Sequence, residues 1–470
     1  MNPNTYSNIF KLLLLIVIFK GGFLTAQSNI DQDAWMLKNI HNQVLANGKS
    51  YEWLRSLTSE APGRLAGSPA AAAAVELTKQ IMDSLGFDKV YLQPCTVPHW
   101  TRGEKEIVRI VNAASIGTQD LDALSLGNST GTGPSGLTAE VIEVRSLDTL
   151  EKMGTSRLRG KIVFFNRPME VTQLRTFAAY GGAVDQRGRG PALAAKYGAV
   201  GAIVRSMTTS QDDIPHTGAT NFQQGETLIP ALAISTNGAD LLSRELSKGP
   251  IKVFIRNTCK MLSPALSYNV IGEITGSTYP DELIVIGGHL DSWDVAEGAH
   301  DDGAGCVQSI EVLHILKSLK YKPLRSLRCV MFMNEENGLG GGLAYGDSSN
   351  ARKEKHILAL ESDSGGFTPR GFGFSADKEV YENYFKKVNN WSNLLEPFDL
   401  KIYNGGGGAD IGPLKSQKGL LANLQPDSQR YFDYHHTRID QFGTVNKREL
   451  LLGAAAMTSL VYLVDKYGLD

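Results

Sequence analysis

Three apolar runs in the second half of the chain end alike, and this repetition restricts the fold more than any other feature. Leu283-Ile284-Val285-Ile286 runs into Gly287-Gly288-His289-Leu290-Asp291. Leu327 to Met333 runs into Asn334-Glu335-Glu336-Asn337-Gly338, and His356 to Leu360 into Glu361-Ser362-Asp363-Ser364. Continuous apolar runs of this length read as strands buried on both faces. With helical patterns between them they predict an α/β unit, a mainly parallel (mixed) sheet flanked by helices. One helix is expected from about Ala304 to Lys317, with Val307, Ile310, Leu313 and Ile315 near one side. In such sheets ligands bind where the strands end. His289, Glu335, Glu336 and Asp363 are therefore predicted to converge on one edge.

Carboxylates gathered in that way repel one another unless cations neutralise them, so the edge predicts a metal centre. Imidazole with carboxylate is a donor set that suits zinc. Ala299-His300-Asp301-Asp302-Gly303 leads into the helix. If Asp301 is shared between two zinc ions, His289 and Asp363 complete one site, and Glu336 with a later histidine completes the other. That histidine is sought in Tyr434-His435-His436-Thr437, with His436 preferred and His435 second. Asp291, two residues past His289, is placed to accept the imidazole's other N–H. Glu335, adjacent to a ligand but not itself needed as one, is the expected general base for the attacking water. His300 is expected to point away as a satisfied surface histidine.

The rest of the chain supplies the setting. Lys11, the apolar run 12–19, Lys20 and Thr25-Ala26-Gln27 read as a secretory signal peptide removed near Ala26. The protein is thus expected to be secreted or periplasmic, without a stable membrane anchor, since the run is too short to span a bilayer. Residues 27–133 and 263–470 are assigned to one domain. Residues 134–262 are assigned to an insert, because short strand-like runs such as 161–165 and Ala202-Ile203-Val204 alternate there with Gly-rich turns. A helix is expected from Pro69 to Leu85, with proline in its first turn and Gly86 beyond its end. Lys and Arg total 47 against 49 Asp and Glu, a balance that argues against a nucleic-acid partner. Four cysteines without CxxC spacing exclude zinc fingers and thioredoxin-like chemistry. Asn128-Ser129-Thr130 and Asn390-Trp391-Ser392 match the N-glycosylation acceptor pattern.

Gly-Gly-His-Leu-Asp-Ser-Trp from 287, Gly-Ala-His-Asp-Asp-Gly from 298, Asn-Glu-Glu-Asn-Gly from 334, Glu-Ser-Asp from 361 and His-His-Thr from 435 resemble the co-catalytic dizinc aminopeptidase and glutamate carboxypeptidase family. The likeness covers nearly all of the mature chain. It implies the zinc-dependent exopeptidase fold and an inserted, β-rich protease-associated domain at 134–262. It also implies two Zn²⁺ per chain, one held by His289, Asp301 and Asp363 and the other by Asp301, Glu336 and His436. Glu335 matches the base, and the Asp301–Asp302 peptide is expected to be cis. The implied activity is hydrolysis of short peptides, dipeptides with free termini foremost, in a cleft narrowed by the insert and a homodimer partner. Other members are broader aminopeptidases, glutaminyl cyclases, or non-catalytic scaffolds such as the transferrin-receptor ectodomain. The complete ligand set here speaks against the last of these.

Three further expectations rest on the resemblance. Relatives often carry Tyr before the terminal ligand, steadying the tetrahedral intermediate; here His435 stands in that place and is expected to donate a similar hydrogen bond. The Gly-rich run 404–410 falls where relatives have a turn near the substrate. Gly407 and Gly408 amides are expected to hold a peptide carboxylate there, and Asp410 to face a free α-amine. Residues 62–68 resemble the entry to the family's first helix and are expected to be structural.

Overall fold

The computed structural model describes residues 30–469; the expected signal segment lies outside them. The described chain forms two eight-stranded sheets. The first runs in the order Lys89–Thr101, Lys260–Ile274, Arg325–Phe332, Tyr279–His289, Lys355–Glu361, Leu420–Pro426, Pro369–Ser375, Lys401–Asn404. Its four central strands, Arg325–Phe332 to Leu420–Pro426, are parallel neighbours, and antiparallel pairs flank them. The three apolar runs are central strands of this sheet, as their lack of alternation predicts. Every residue of Arg325–Phe332 is buried.

The helix after Asp301 spans Ala304–Ser318 and is buried on nearly all sides, which departs from the one-sided expectation. It packs on the sheet while helices Ser50–Glu60 and Lys447–Tyr467 cover its other faces. The 21-residue helix Lys447–Tyr467 is long and apolar enough to cross a membrane, yet 83% of its most apolar window is buried inside the protein. It serves as a core helix. The expected early helix spans Pro69–Ser84, with Ser68 Oγ accepting from the Ala71 amide at 3.1 Å and Gly86 beyond its end at φ +63°. Both ends follow from cap chemistry legible in the sequence.

The second sheet corrects the boundary at 134. Its strands run in the order Gly117–Leu121, Ile107–Ala113, Lys252–Arg256, Leu137–Val144, Ile162–Phe165, Gly201–Arg205, Ala231–Ile234, Ala123–Ser125. Three strands before residue 134 therefore belong to it. Ile107–Ala113 pairs antiparallel with Lys252–Arg256, and Ala123–Ser125 with Ala231–Ile234. Val108 and Ile110 join Val253 and Ile255 in one core. Such pairings span well over a hundred residues of chain, and a local pattern cannot show them. The chain leaves the first sheet at Thr101 and returns at Lys260, and these two residues are cross-strand partners.

Candidate metal centre

The predicted ligands meet where the parallel strands end. His289 Nε2 lies 3.3 Å from Asp301 Oδ1 and 3.5 Å from Asp363 Oδ1. His436 Nε2 lies 3.3 Å from Asp301 Oδ2 and 3.2 Å from Glu336 Oε2. The two oxygens of Asp301 thus face two different imidazoles, as a shared ligand requires. His435 Nε2 stands 3.9 Å from Asp301 Oδ2, so His436 is the histidine that closes on both acids. The Asp301–Asp302 peptide is cis.

The local electrostatics suit cations. Burial, with Asp363, Asp301 and Asp291 adding to it, pushes Glu335 up to about 8. Burial and Asp301 raise Glu336 well above the ordinary carboxylate value. Burial by itself would raise Asp301 too, but His289, His436 and His435 hold it below that range. His289 is raised well above the usual imidazole value, because Asp301 and Asp363 outweigh its burial. Asp301 Oδ2 and Glu336 Oε1 are buried without hydrogen-bond partners, a costly state that a metal relieves. Donor atoms of His289, Asp301 and Glu336 lie within 4.8 Å of one another, as do those of Asp301, His435 and His436. Two imidazoles and three carboxylates around a shared Asp301 fit zinc. A third such group includes Asp302, but its carboxylate is already engaged. It accepts from the amides of His289 and Gly305, both at 3.0 Å.

Supporting residues set these ligands, and one expectation changes here. His289 Nδ1 bonds the backbone carbonyl of Asp291 at 3.0 Å, while the Asp291 carboxylate is 3.8 Å away. That carboxylate instead accepts from the amides of Asn334, Glu335 and Glu336 at 2.6, 3.0 and 3.4 Å. Asp291 therefore positions the turn that carries Glu335 and Glu336. Three amides converging on one carboxylate form a stronger anchor than one imidazole N–H. Asp440 holds the amides of His300 and Asp301 at 2.7 and 3.1 Å, a role that no spacing announced. Arg64, fully buried, donates to the carbonyls of Leu290, Glu297 and Gly298 at 2.5, 2.7 and 2.8 Å and ties down the loop after His289. The structural reading of 62–68 agrees with that.

The second sheet closes the site from the other side. A cavity of about 390 Å³ is lined by Glu335, Asp363 and His436 and, from the insert, by Phe177, Tyr180 and Arg187. The buried Arg187 donates to Tyr180 Oη at 2.7 Å, its Nη1 lies 3.4 Å from His436 Nδ1, and its Nε has no partner. Sequence reasoning missed Arg187, because one arginine in Gln186-Arg187-Gly188 carries no spacing signal. A second cavity of about 580 Å³ shares Phe177 and Asp363 with the first and continues past Gly407.

Other expected residues are distributed unevenly. His435 lines the cleft and stacks on His436 with ring centres 3.5 Å apart; burial pushes it down to about 3, so it is neutral. Gly408 presses against the Glu361 carboxylate rather than the cleft. Asp410 is fully buried beside Gly342, at the start of helix Gly340–Arg352, and does not face a substrate amine. The Gly-rich run turns tightly enough to tuck Asp410 beneath the site. His300 is not a surface residue: it is buried, stacks on Phe367 with ring centres 4.3 Å apart, and accepts from the Gly366 amide at 3.1 Å. The Asn128 carboxamide is doubly bonded to Asn337, so that acceptor pattern has a structural use. All four cysteines are free and buried.

The chain is similar to known proteins over most of its length. The model of peptidase family M28 matches residues 269–461. Carboxypeptidase Q of Mus musculus is 35% identical over 440 residues, covering 93% of this chain and 90% of that protein. Carboxypeptidase Q of Homo sapiens is 34% identical over 422 residues, covering 89% and 86%. A solved peptidase M28 precursor from Shewanella amazonensis SB2B aligns with a TM-score of 0.86 at 34% identity, over 93% of this chain and 97% of that one. The zinc aminopeptidase BSAP of Bacillus subtilis shares the fold, with a TM-score of 0.62 at 19% identity over 88% and 93%.

Proposed function

The chain belongs to peptidase family M28 and is a zinc metallopeptidase, and from that premise we propose a secreted dizinc exopeptidase that hydrolyses short peptides, dipeptides with free termini foremost. One observation carries this reading: two donor sets share Asp301 in a cleft whose opposite wall holds the partly unpaired cation of Arg187. His289, Asp301 and Asp363 would hold one ion, and Asp301, Glu336 and His436 the other. When bound, the zinc pair supplies Lewis acidity for the scissile carbonyl and lowers the pKa of water.

The chain's own groups do the rest. Glu335, half-buried in the cleft wall, takes the proton of the attacking water on its carboxylate and delivers it to the leaving amine. Asp291 holds the Glu335 amide, so the base is aimed by buried backbone contacts. Neutral His435 donates an N–H to the carbonyl oxygen as negative charge develops there. Arg187 takes the α-carboxylate through its guanidinium, whose fork suits a carboxylate better than a lysine ammonium would. Its position in the cleft supports recognition of a free C-terminus next to the scissile bond, in keeping with relatives that are carboxypeptidases. The second sheet is the protease-associated insert in this reading. It narrows the cleft together with a homodimer partner and excludes long chains.

The test is a panel of dipeptides, their C-terminal amides, a decapeptide and aminoacyl-arylamides, given to zinc-loaded mature protein. Dipeptides should turn over fastest, and Glu335→Ala should lose at least ~100-fold. Comparable rates on the decapeptide and a dipeptide would refute the dipeptide preference. Turnover of arylamides alone would make the enzyme an open-cleft aminopeptidase.

A further inference from the structure

We propose that Arg175 makes the cavity beyond Asp363 a subsite for an acidic side chain on the residue preceding the scissile bond. The inference rests on the dipeptidase reading and names the substrate class that reading leaves open. Once the α-carboxylate sits at Arg187, the scissile carbonyl lies among the metal ligands. The amino-side residue then points across Asp363, into the cavity of about 580 Å³. That volume accommodates a glutamate side chain with room for water.

Arg175 comes from the insert and is fixed from both sides across the seam. Gln429 Nε2 donates to the carbonyl of the preceding Leu174 at 3.0 Å. The Thr176 hydroxyl bonds the carbonyl and the hydroxyl of Ser428, both at 2.8 Å. Between these latches the Arg175 guanidinium lies over the Tyr403 ring, 5.4 Å from its centre. Stacking on that face leaves the planar edge, with its forked N–H groups, free for a carboxylate.

Charge accounting in the cavity singles out this residue. The other arginine in its wall, Arg370, is committed to Asp399 at 2.9 Å and Asp427 at 3.1 Å. Asp363 belongs to the metal centre. Arg175 packs on the Tyr403 ring and, among the described residues, pairs with no carboxylate. Asn423 and Gln425 add neutral polar groups to the same wall, which favours a polar side chain over an aliphatic one. A carboxylate gains a charge-assisted, bidentate bond there, and a lysine side chain meets a like charge.

The experiment compares kcat/KM for Glu-Ala, Gln-Ala and Lys-Ala on the zinc-loaded protein and on Arg175→Gln, Arg175→Lys and Arg175→Glu. The wild type should favour Glu-Ala over Gln-Ala by at least ~10-fold, the scale of one charge-assisted contact. That ratio should collapse in Arg175→Gln, survive in part in Arg175→Lys, and give way to a preference for Lys-Ala in Arg175→Glu. Equal rates on Glu-Ala and Gln-Ala in the wild type overturn the proposal while leaving the dipeptidase reading standing. A preference that persists in Arg175→Gln also overturns it. If no dipeptide is hydrolysed while arylamides are, the dipeptidase reading falls, and this inference falls with it.

Discussion

The two sheets meet at one cleft and bring opposite chemistry to it. The first contributes acids and imidazoles from strand ends, each set by buried contacts: Asp291 under the Glu335 turn, Asp440 behind Asp301, Arg64 behind the loop after His289. The second contributes Arg187, with its Nε unpaired, Tyr180 and Arg175 from short helices and loops that line the cleft. In the proposed reading the acidic side holds the cations and the basic side takes the anionic groups of a peptide. On that proposal, bond breaking and recognition are divided between two structural units. Substitutions in the first should change zinc content and kcat, and those in the second should change KM and substrate ranking.

The largest effects test the first half of that division. Asp301→Asn removes the one carboxylate shared by both donor sets, so zinc measured by elemental analysis should fall below two per chain and turnover below detection. Glu335→Gln should lose ~10²–10⁴-fold in kcat with zinc fully retained, the signature of a base that is not a ligand. Loss of metal along with activity would move Glu335 into the ligand set. Asp291→Asn keeps the shape but weakens the anchor under Asn334, Glu335 and Glu336. A ~10–100-fold loss of zinc affinity is expected, as for other residues behind metal ligands, and a competitive chelator titration reads it.

The second half is tested by Arg187→Gln. KM for dipeptides should rise ~10-fold or more, the loss of a charge-assisted contact, while their C-terminal amides, lacking the carboxylate, should change far less. An equal loss on both substrates would assign Arg187 to holding His436, 3.4 Å away, instead of holding substrate.

The same division explains what could be read from the chain. His289, Glu336 and Asp363 were legible because a buried strand announces itself by its apolar run, and the residue that follows is then known to lie at the ligand edge. His436 is preferred to His435 because it stands before Thr437, as the ligand does in the family the chain resembles, and it is His436 whose Nε2 lies 3.2 Å from Glu336. Short apolar runs after residue 134 were legible as strands, but the three strands of the second sheet that precede them escaped notice, since pairing such as Ile107 with Arg256 spans most of that sheet's length of chain. Arg187 and Arg175 were invisible for a related reason. Each acts alone from a loop or short helix, and its meaning comes from the sheet opposite. Asp410 misled because a Gly-rich run reveals flexibility of path but not which way the path turns.

The smallest expected effect asks whether the two sheets stand or fall together. His356 is the second residue of the Lys355–Glu361 strand, with Nε2 2.8 Å from Tyr345 Oη and Nδ1 2.7 Å from Gln417 Oε1. His216 lies at the seam, its Nδ1 2.8 Å from the His435 carbonyl. Burial pushes both down to about 4, against a weaker raising effect from Gln417 in one case and from the His435 carbonyl in the other. A histidine whose folded pKa lies below its unfolded value of ~6.5 stays neutral in the fold while the unfolded chain takes up a proton. Its stabilisation is complete above ~6.5 and is lost as the pH falls towards 4, roughly 3 kcal/mol for each such group. The thermal midpoint should therefore drop across that window, and His356→Gln or His216→Gln should each flatten the drop. If the sheets unfold as one body, both substitutions flatten a single transition. If the seam opens first, His216→Gln alters an early step that His356→Gln leaves untouched, and the cleft would then lose its recognition side before its metal side.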